Sequence, residues 1–331
     1  NAHDNERLDP QVRSADCQDR REFLRLSVGA MAAIGSQAVL GSTESVADDA
    51  ATVRARPGTL PTIRIGSYNL TRLIVGSNPV EGYSHSTHNL DQHMREYFTT
   101  ERTVEFISRC EQFGINTWQS GHGPSRKVID VLTTLRQRGS KIHWFCLAHG
   151  APDQKPLKDI LALKPIAVVH HGGETDAMFH AGRREQVHDF VKKVHDAGVI
   201  AGVSSHNPAN ISYIEDKGWE NQFFMTCLYQ VSRPEEEIRS KLGSGLVDEP
   251  YLKSDPDQMT QVIQQVKRPC LAFKILAAGR LCGSSKSVES AFQYAFSRIK
   301  KTDGVIVGMY PRFSDEIAMN VDLALRHGRP S

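Results

Sequence analysis

"VVHHGGETD", residues 168–176, runs from two valines into two histidines, two glycines and two acids. It reads as a buried strand whose C-terminal end carries chemistry, and the fold turns on whether that pattern recurs. Apolar runs of strand length stand at 72–78, 114–120, 142–149, 166–172, 199–206, 223–231, 270–276 and 304–310, eight in all. Amphipathic segments lie between them, clearest at Val187, Phe190, Val191 and Val194, whose spacing puts them on one helical face. Near-continuous apolar strands alternating with helices are expected of parallel strands covered on both faces. Eight such units within residues 63–331 predict an α/β chain of the (β/α)8 TIM-barrel class. The structural rival, an open doubly wound sheet, would want a GxGxxG after its first strand, and none is there.

Composition narrows the function. The chain has 331 residues, 39% of them apolar, and a formal net charge of +2, so no electrostatic bias points to nucleic acid. Its six cysteines show no CxxC pair, and Cys146, Cys227 and Cys270 fall inside apolar runs, where a thiol behaves as a small hydrophobe.

Residues 1–47 differ in kind from the rest. "DRREFLR" (19–25) precedes a weakly apolar stretch (26–42) too short and too rich in Ser, Gly and Gln to span a bilayer, and Ser45-Val46-Ala47 offers small residues to a signal peptidase. The pair Arg20-Arg21 resembles a twin-arginine export signal, with Asp19 where a serine is usual. The same residues also read as a basic, small-residue tail, but their order favours the signal. The resemblance implies a periplasmic protein exported folded by the twin-arginine translocase, with any cofactor already bound. Residues 48–62 read as a linker.

In TIM barrels active sites lie at the C-terminal ends of the strands, and here those ends are polar. Gln119 and His122 follow the second run, His149 ends the third, His170 and His171 the fourth and His206 the fifth, with Lys274 near the end of the seventh. One such histidine is more often a hydrogen-bonded cap than a catalyst. Three successive ones converge on one cavity. The first connection, 79–98, is long and rich in His and Tyr, as substrate lids are. Lys274, inside an apolar run, is a candidate for Schiff-base chemistry, for pairing with a carboxylate, or for a phosphate contact.

The motifs "LTRLIVGSNP" (70–79), "FGINTWQS" (113–120), "GVSSHNP" (202–208), "LYQVSRP" (228–234), "KILAAGRL" (274–281) and "VIVGMYPRFSDEIAMNVDLAL" (305–325) fall in an order that resembles the aldo-keto reductase superfamily. The resemblance covers residues 65–328 and implies NADP lying across the barrel mouth. It would place Ser204 and Ser205 at the carboxamide, Tyr229 against the nicotinamide ring, Gly279 and Arg280 along the pyrophosphate, and Arg312 and Asn320 at the adenosine end. The family's catalytic set is not matched: its aspartate falls on Gln119, its tyrosine on Pro124 and its lysine on His149. Only its histidine is kept, at His170 in the family register. A proline donates no proton, so another acid must serve, His149 or Tyr83 being the candidates.

The expectation is therefore an NADP-dependent oxidoreductase of a small polyhydroxy carbonyl compound, using His170, His149, Gln119 and Tyr83. One alternative is a Zn²⁺- or Mn²⁺-dependent sugar isomerase, epimerase or lyase, with His149, His170, His206 and Glu174 as ligands. Another is a barrel that binds a ligand without turnover. Strand alternation adds a geometric expectation: His170 should face the cavity with Gln119 and Tyr229, and His171 should point away.

Overall fold

A computed structural model describes residues 59–148 and 157–329; the expected signal, most of the linker and His149 lie outside them. The chain enters as a hairpin, β1 (Thr62–Ile65) and β2 (Tyr68–Thr71), followed by β3 (Leu73–Gly76), α1 (Asn78–Glu81), α2 (His88–Tyr97) and α3 (Thr100–Gln112). Next come β4 (Thr117–His122), α4 (Arg126–Gln137), β5 (His143–Ala148), α5 (Leu157–Ala162), β6 (Ala167–His170), α6 (Gly172–His180) and α7 (Arg184–Asp196). The last part holds β7 (Ile200–Ser205), α8 (Pro208–Lys217), β8 (Phe223–Cys227), α9 (Glu235–Leu242), α10 (Asp255–Gln265), β9 (Cys270–Phe273), α11 (Ser285–Arg298), β10 (Gly304–Gly308) and α12 (Glu316–His327).

Strands β3 to β10 pair in parallel, each with the next, and β10 closes onto β3, giving an eight-stranded barrel. This is the expected TIM barrel, with a strand in every one of the eight apolar runs. Alternation divides its side chains between two cores. Ile74, Phe145, Ala167, Val169, Phe223, Met225, Leu271 and Ile306 fill the lumen. Their strand neighbours Val75, Cys146, Val168, Phe224 and Ala272 face the helices, where Val187, Phe190, Val191 and Val194 of α7 meet them as one stripe. Cys146, Cys227 and Cys270 are buried in this outer layer, and burial pushes all three thiols up.

The hairpin was not foreseen. Ile63, Ile65 and Leu70 join the luminal core, so β1 and β2 close the N-terminal end of the barrel. Its signal was present in "TIRIGSYNLT" (62–71), two short β-prone segments around a Gly-Ser turn. Plugging that end leaves the C-terminal mouth as the open one.

Candidate active site

A cavity of about 360 Å³ opens at the mouth, lined by strand-end residues and by the connection after β3. That volume is at the lower end of small-molecule pockets. The expected lid takes part: the connection folds into α1 and α2, and Tyr83, Ser84, His85, Leu90 and Met94 line the cavity. Gln119 lines it too, its amide donating to the Ser120 carbonyl, while Tyr83 stands half exposed on the rim.

One corner is built on Asp176, a buried carboxylate on α6. It accepts hydrogen bonds from the Ser205 hydroxyl (2.5 Å), the Ser232 hydroxyl (2.6 Å), the Asn210 amide (2.9 Å) and both the backbone N–H (3.1 Å) and Nδ1 (2.7 Å) of His206. Burial alone would raise its pKa, but the donors, His206 foremost, outweigh that and hold it below the usual aspartate value. An ionised carboxylate only accepts, so Nδ1 of His206 carries a proton, and in the neutral ring Nε2 is the lone-pair nitrogen. His206 lines the cavity, and its ring lies edge-on to Phe273 at 5.6 Å. Gly172 packs so closely here that a Cβ would stand 2.8 Å from Ser204 Oγ and 3.0 Å from the His206 ring.

The other corner is Glu81, the last residue of α1. It lines the cavity, and its Oε1 accepts the Gly121 backbone N–H at 3.1 Å, so close that a Cβ at 121 would displace the Glu81 carboxylate. Burial pushes this carboxyl up to about 7, against the Gly121 bond and the Lys127 ammonium, which both favour the ion. Sequence reasoning missed Glu81. Its one signal was a lone acid in the apolar "NPVEG" (78–82) at a strand end.

The histidine assignment is corrected. His170 is 1% exposed and turns outward, its Nδ1 within 2.7 Å of Thr175 Oγ1 and its ring edge-on to Phe190 of α7 at 5.1 Å. His171 lines the cavity instead and caps α6, its Nδ1 accepting the Glu174 N–H at 3.4 Å. The reason is register: Ala167 and Val169 are luminal, so residue 171 shares their face and residues 168 and 170 share the other. His170→Ala should cost about 2–3 kcal/mol of stability through a lost hydrogen bond and lost packing. His171→Ala should cost less than about 1 kcal/mol yet impair ligand binding or turnover. Urea unfolding of both variants, read beside their activity, checks the pair.

Of the residues implied as cofactor contacts, Ser204 and Gly279 line the cavity. Ser205 turns outward to Asp176, and Asn320 is buried on α12. Arg312 is exposed over the Tyr97 and Phe313 rings, and Arg280 pairs with Asp248 at 2.6 Å. Tyr229, expected in the cavity, does not line it; the Tyr251 ring lies 5.1 Å away. Tyr251 is itself held by Arg280 over its ring at 3.9 Å and by Glu249 and Lys274 at its hydroxyl (2.8 and 3.1 Å). Tyr251 thus packs on the tyrosine a nicotinamide would stack against, and the residues as arranged do not fit an extended dinucleotide.

Lys274 resolves toward carboxylate pairing. Its buried ammonium stands 3.5 Å from Glu249, whose carboxyl, despite burial, is drawn down to about 2 by His85 and this lysine. The metal set does not assemble. His170 faces away, Glu174 does not line the cavity, and among the described residues no three His, Cys, Asp or Glu side chains are placed to hold one ion. Nor is any helix among them long and apolar enough to cross a membrane.

No known protein family matches the chain in sequence, and no curated protein does. Solved structures do match in shape. A protein assigned as an aldo-keto reductase of Pseudomonas aeruginosa superposes with a TM-score of 0.55 at 13% identity, covering 85% of this chain and all (100%) of that one. A second structure of an aldo-keto reductase so assigned, from the same organism, gives 0.55 and 13% over 82% and 98%. A dihydropteroate synthase of Thermus thermophilus gives 0.47 and 13% over 81% and 100%. At such identities the likeness shows the barrel alone.

Proposed function

We propose that the chain is an enzyme that moves protons on a small hydroxylated carbonyl compound at the barrel mouth, as an isomerase, epimerase or lyase does. One observation carries the reading: a carboxyl raised to about 7 and a histidine fixed by a buried aspartate line the same small cavity. A carboxyl raised by burial beside a histidine whose Nδ1–H is held by a carboxylate supplies an acid and a base. With Nδ1–H given to Asp176, His206 Nε2 takes the proton from the carbon beside the carbonyl. Protonated Glu81 donates to the carbonyl oxygen, so charge never builds up there. His171 and Gln119 orient that oxygen. The His206 proton then returns to the other carbon or the other face of the enediol, or leaves with a neighbouring hydroxyl as water, while an enediol O–H gives its proton back to Glu81. None of these steps needs a metal or a nucleotide.

A second reading, the NADP-dependent oxidoreductase, has Ser204 and Gly279 in its favour, both in the cavity. It requires Tyr251 to leave Tyr229. In either reading residues 1–47 serve export to the periplasm by the twin-arginine route.

The test is solvent exchange. Nucleotide-free protein in D₂O with dihydroxyacetone, erythrulose and hydroxyacetone should place deuterium beside the carbonyl, seen by proton NMR. Exchange or reduction that appears only on adding NADPH would move the assignment to the second reading.

A further inference from the structure

The cavity is divided by chemistry, and the barrel's circular strand order shows how. Most of its unengaged polar groups come from one arc, where Leu147 of β5 is the apolar exception: Glu81 after β3, Gln119 on β4, His171 after β6, and Ser204 and His206 at β7. The facing arc, β8 to β10, contributes Met225, Phe273, Leu276 and Ile306, and α2 adds Leu90 and Met94 from one helical face four residues apart. Two charged groups on the apolar arc are already engaged. Lys274 donates to Tyr251 and pairs with Glu249, and Glu316 accepts the Tyr310 backbone N–H at 2.7 Å, its own pKa raised by burial.

The outside of the mouth continues the pattern. The exposed large hydrophobic residues among the described ones are Tyr83, Leu242, Leu246, Val247 and Phe313, with Phe313 80% exposed. Tyr83, Leu246, Val247 and Phe313 lie in loops of the connections that leave the C-terminal ends of β3, β8 and β10, and Leu242 ends α9 in the second of these; Tyr83 itself lines the cavity, and Phe313 stands 6.0 Å from the ring of Tyr310, which lines it too. Exposed apolar residues gathered beside a cavity mark a ligand surface.

Resting on the proton-transfer reading, we propose that the substrate is amphiphilic: a hydroxy-carbonyl head lies on the β3–β7 arc, and an apolar substituent lies along Leu90, Met94, Phe273 and Leu276 and points outward. A polyhydroxy compound is a poor occupant, because hydroxyls on that arc would give up water for side chains that offer no hydrogen bond. Each methylene added to the tail removes apolar surface from water and gains about 0.8 kcal/mol, close to fourfold in affinity.

The test is a chain-length series of 1-hydroxy-2-alkanones, from hydroxyacetone to 1-hydroxy-2-heptanone, with 2-hydroxyacetophenone as the aryl arm and erythrulose as the polyhydroxy arm. With the full chain, kcat/KM for exchange should rise threefold to fourfold per methylene over the first steps and exceed that for erythrulose at least tenfold. Leu276→Ser should narrow that gap. Rates independent of chain length, or erythrulose the better substrate, would overturn the proposal. If no compound exchanges, the proton-transfer reading fails separately, and the tail is read from calorimetric binding of 1-propanol to 1-hexanol. Affinity rising with length keeps the apolar subsite, and affinity flat with length removes it.

Discussion

Glu81→Gln should lower kcat/KM for proton exchange by about a hundredfold to ten-thousandfold, the usual share of a general acid or base, while making the protein more stable above neutral pH. The two effects have one cause. A carboxyl whose pKa is ordinarily near 4.5 and is raised to about 7 in the fold binds its proton more tightly folded than unfolded. Its contribution is full below about pH 4.5 and is lost as pH rises through about 7, a swing of about 3 kcal/mol. Glutamine carries no charge to bury and still accepts the Gly121 N–H. The variant should match the parent near pH 4 and exceed it by about 3 kcal/mol near pH 9, in paired urea titrations. A parent whose advantage grows with pH would show that Glu81 is a stabilising anion.

Asp176→Ala should be the most damaging single change in the site. It leaves the Ser205, Ser232 and Asn210 side chains and His206 without their shared acceptor in a buried pocket, which costs about 3–5 kcal/mol. Asp176→Asn keeps the shape but turns one acceptor into a donor facing donors. With its NH2 in the Oδ2 place the amide forces His206 into the other tautomer, without the Nε2 lone pair, and exchange should fall about a hundredfold; with its NH2 in the Oδ1 place it meets the Ser205 hydroxyl, which can accept, and the His206 tautomer is kept. The pH signature is opposite to that of Glu81. Because its folded pKa is lowered, Asp176 contributes stability above the ordinary aspartate range, and that stability is lost as acid protonates it. Denaturant midpoints and exchange rates on the two variants separate the structural part from the catalytic one; activity intact in His206→Gln would remove His206 as the base.

The barrel was legible because each parallel strand is buried on both faces and appears as an unbroken apolar run, with helices such as α7 showing one stripe between. The same property hid the register. In "AVVH" (167–170) both faces are apolar, so nothing local says which of His170 and His171 is luminal. The family register pointed to the wrong one. The pair of His206 with Asp176 spans 30 residues, so each was visible as a polar strand-end group but not as the other's partner. Glu81 was least legible, since its raised pKa comes from burial of its carboxyl at the barrel mouth, which no spacing records.

The claim on which the rest depends is that Glu81 stays protonated near neutrality beside the substrate. Carboxyl-¹³C glutamate labelling, with Glu81→Gln to assign the resonance, measures it in the free protein without knowledge of the substrate. The chemical shift should titrate with a midpoint near 7. It should also move when a hydroxy-ketone is added. A midpoint at the ordinary glutamate value of about 4.3 would contradict the account, because the cavity would then hold an anion where the mechanism needs an acid.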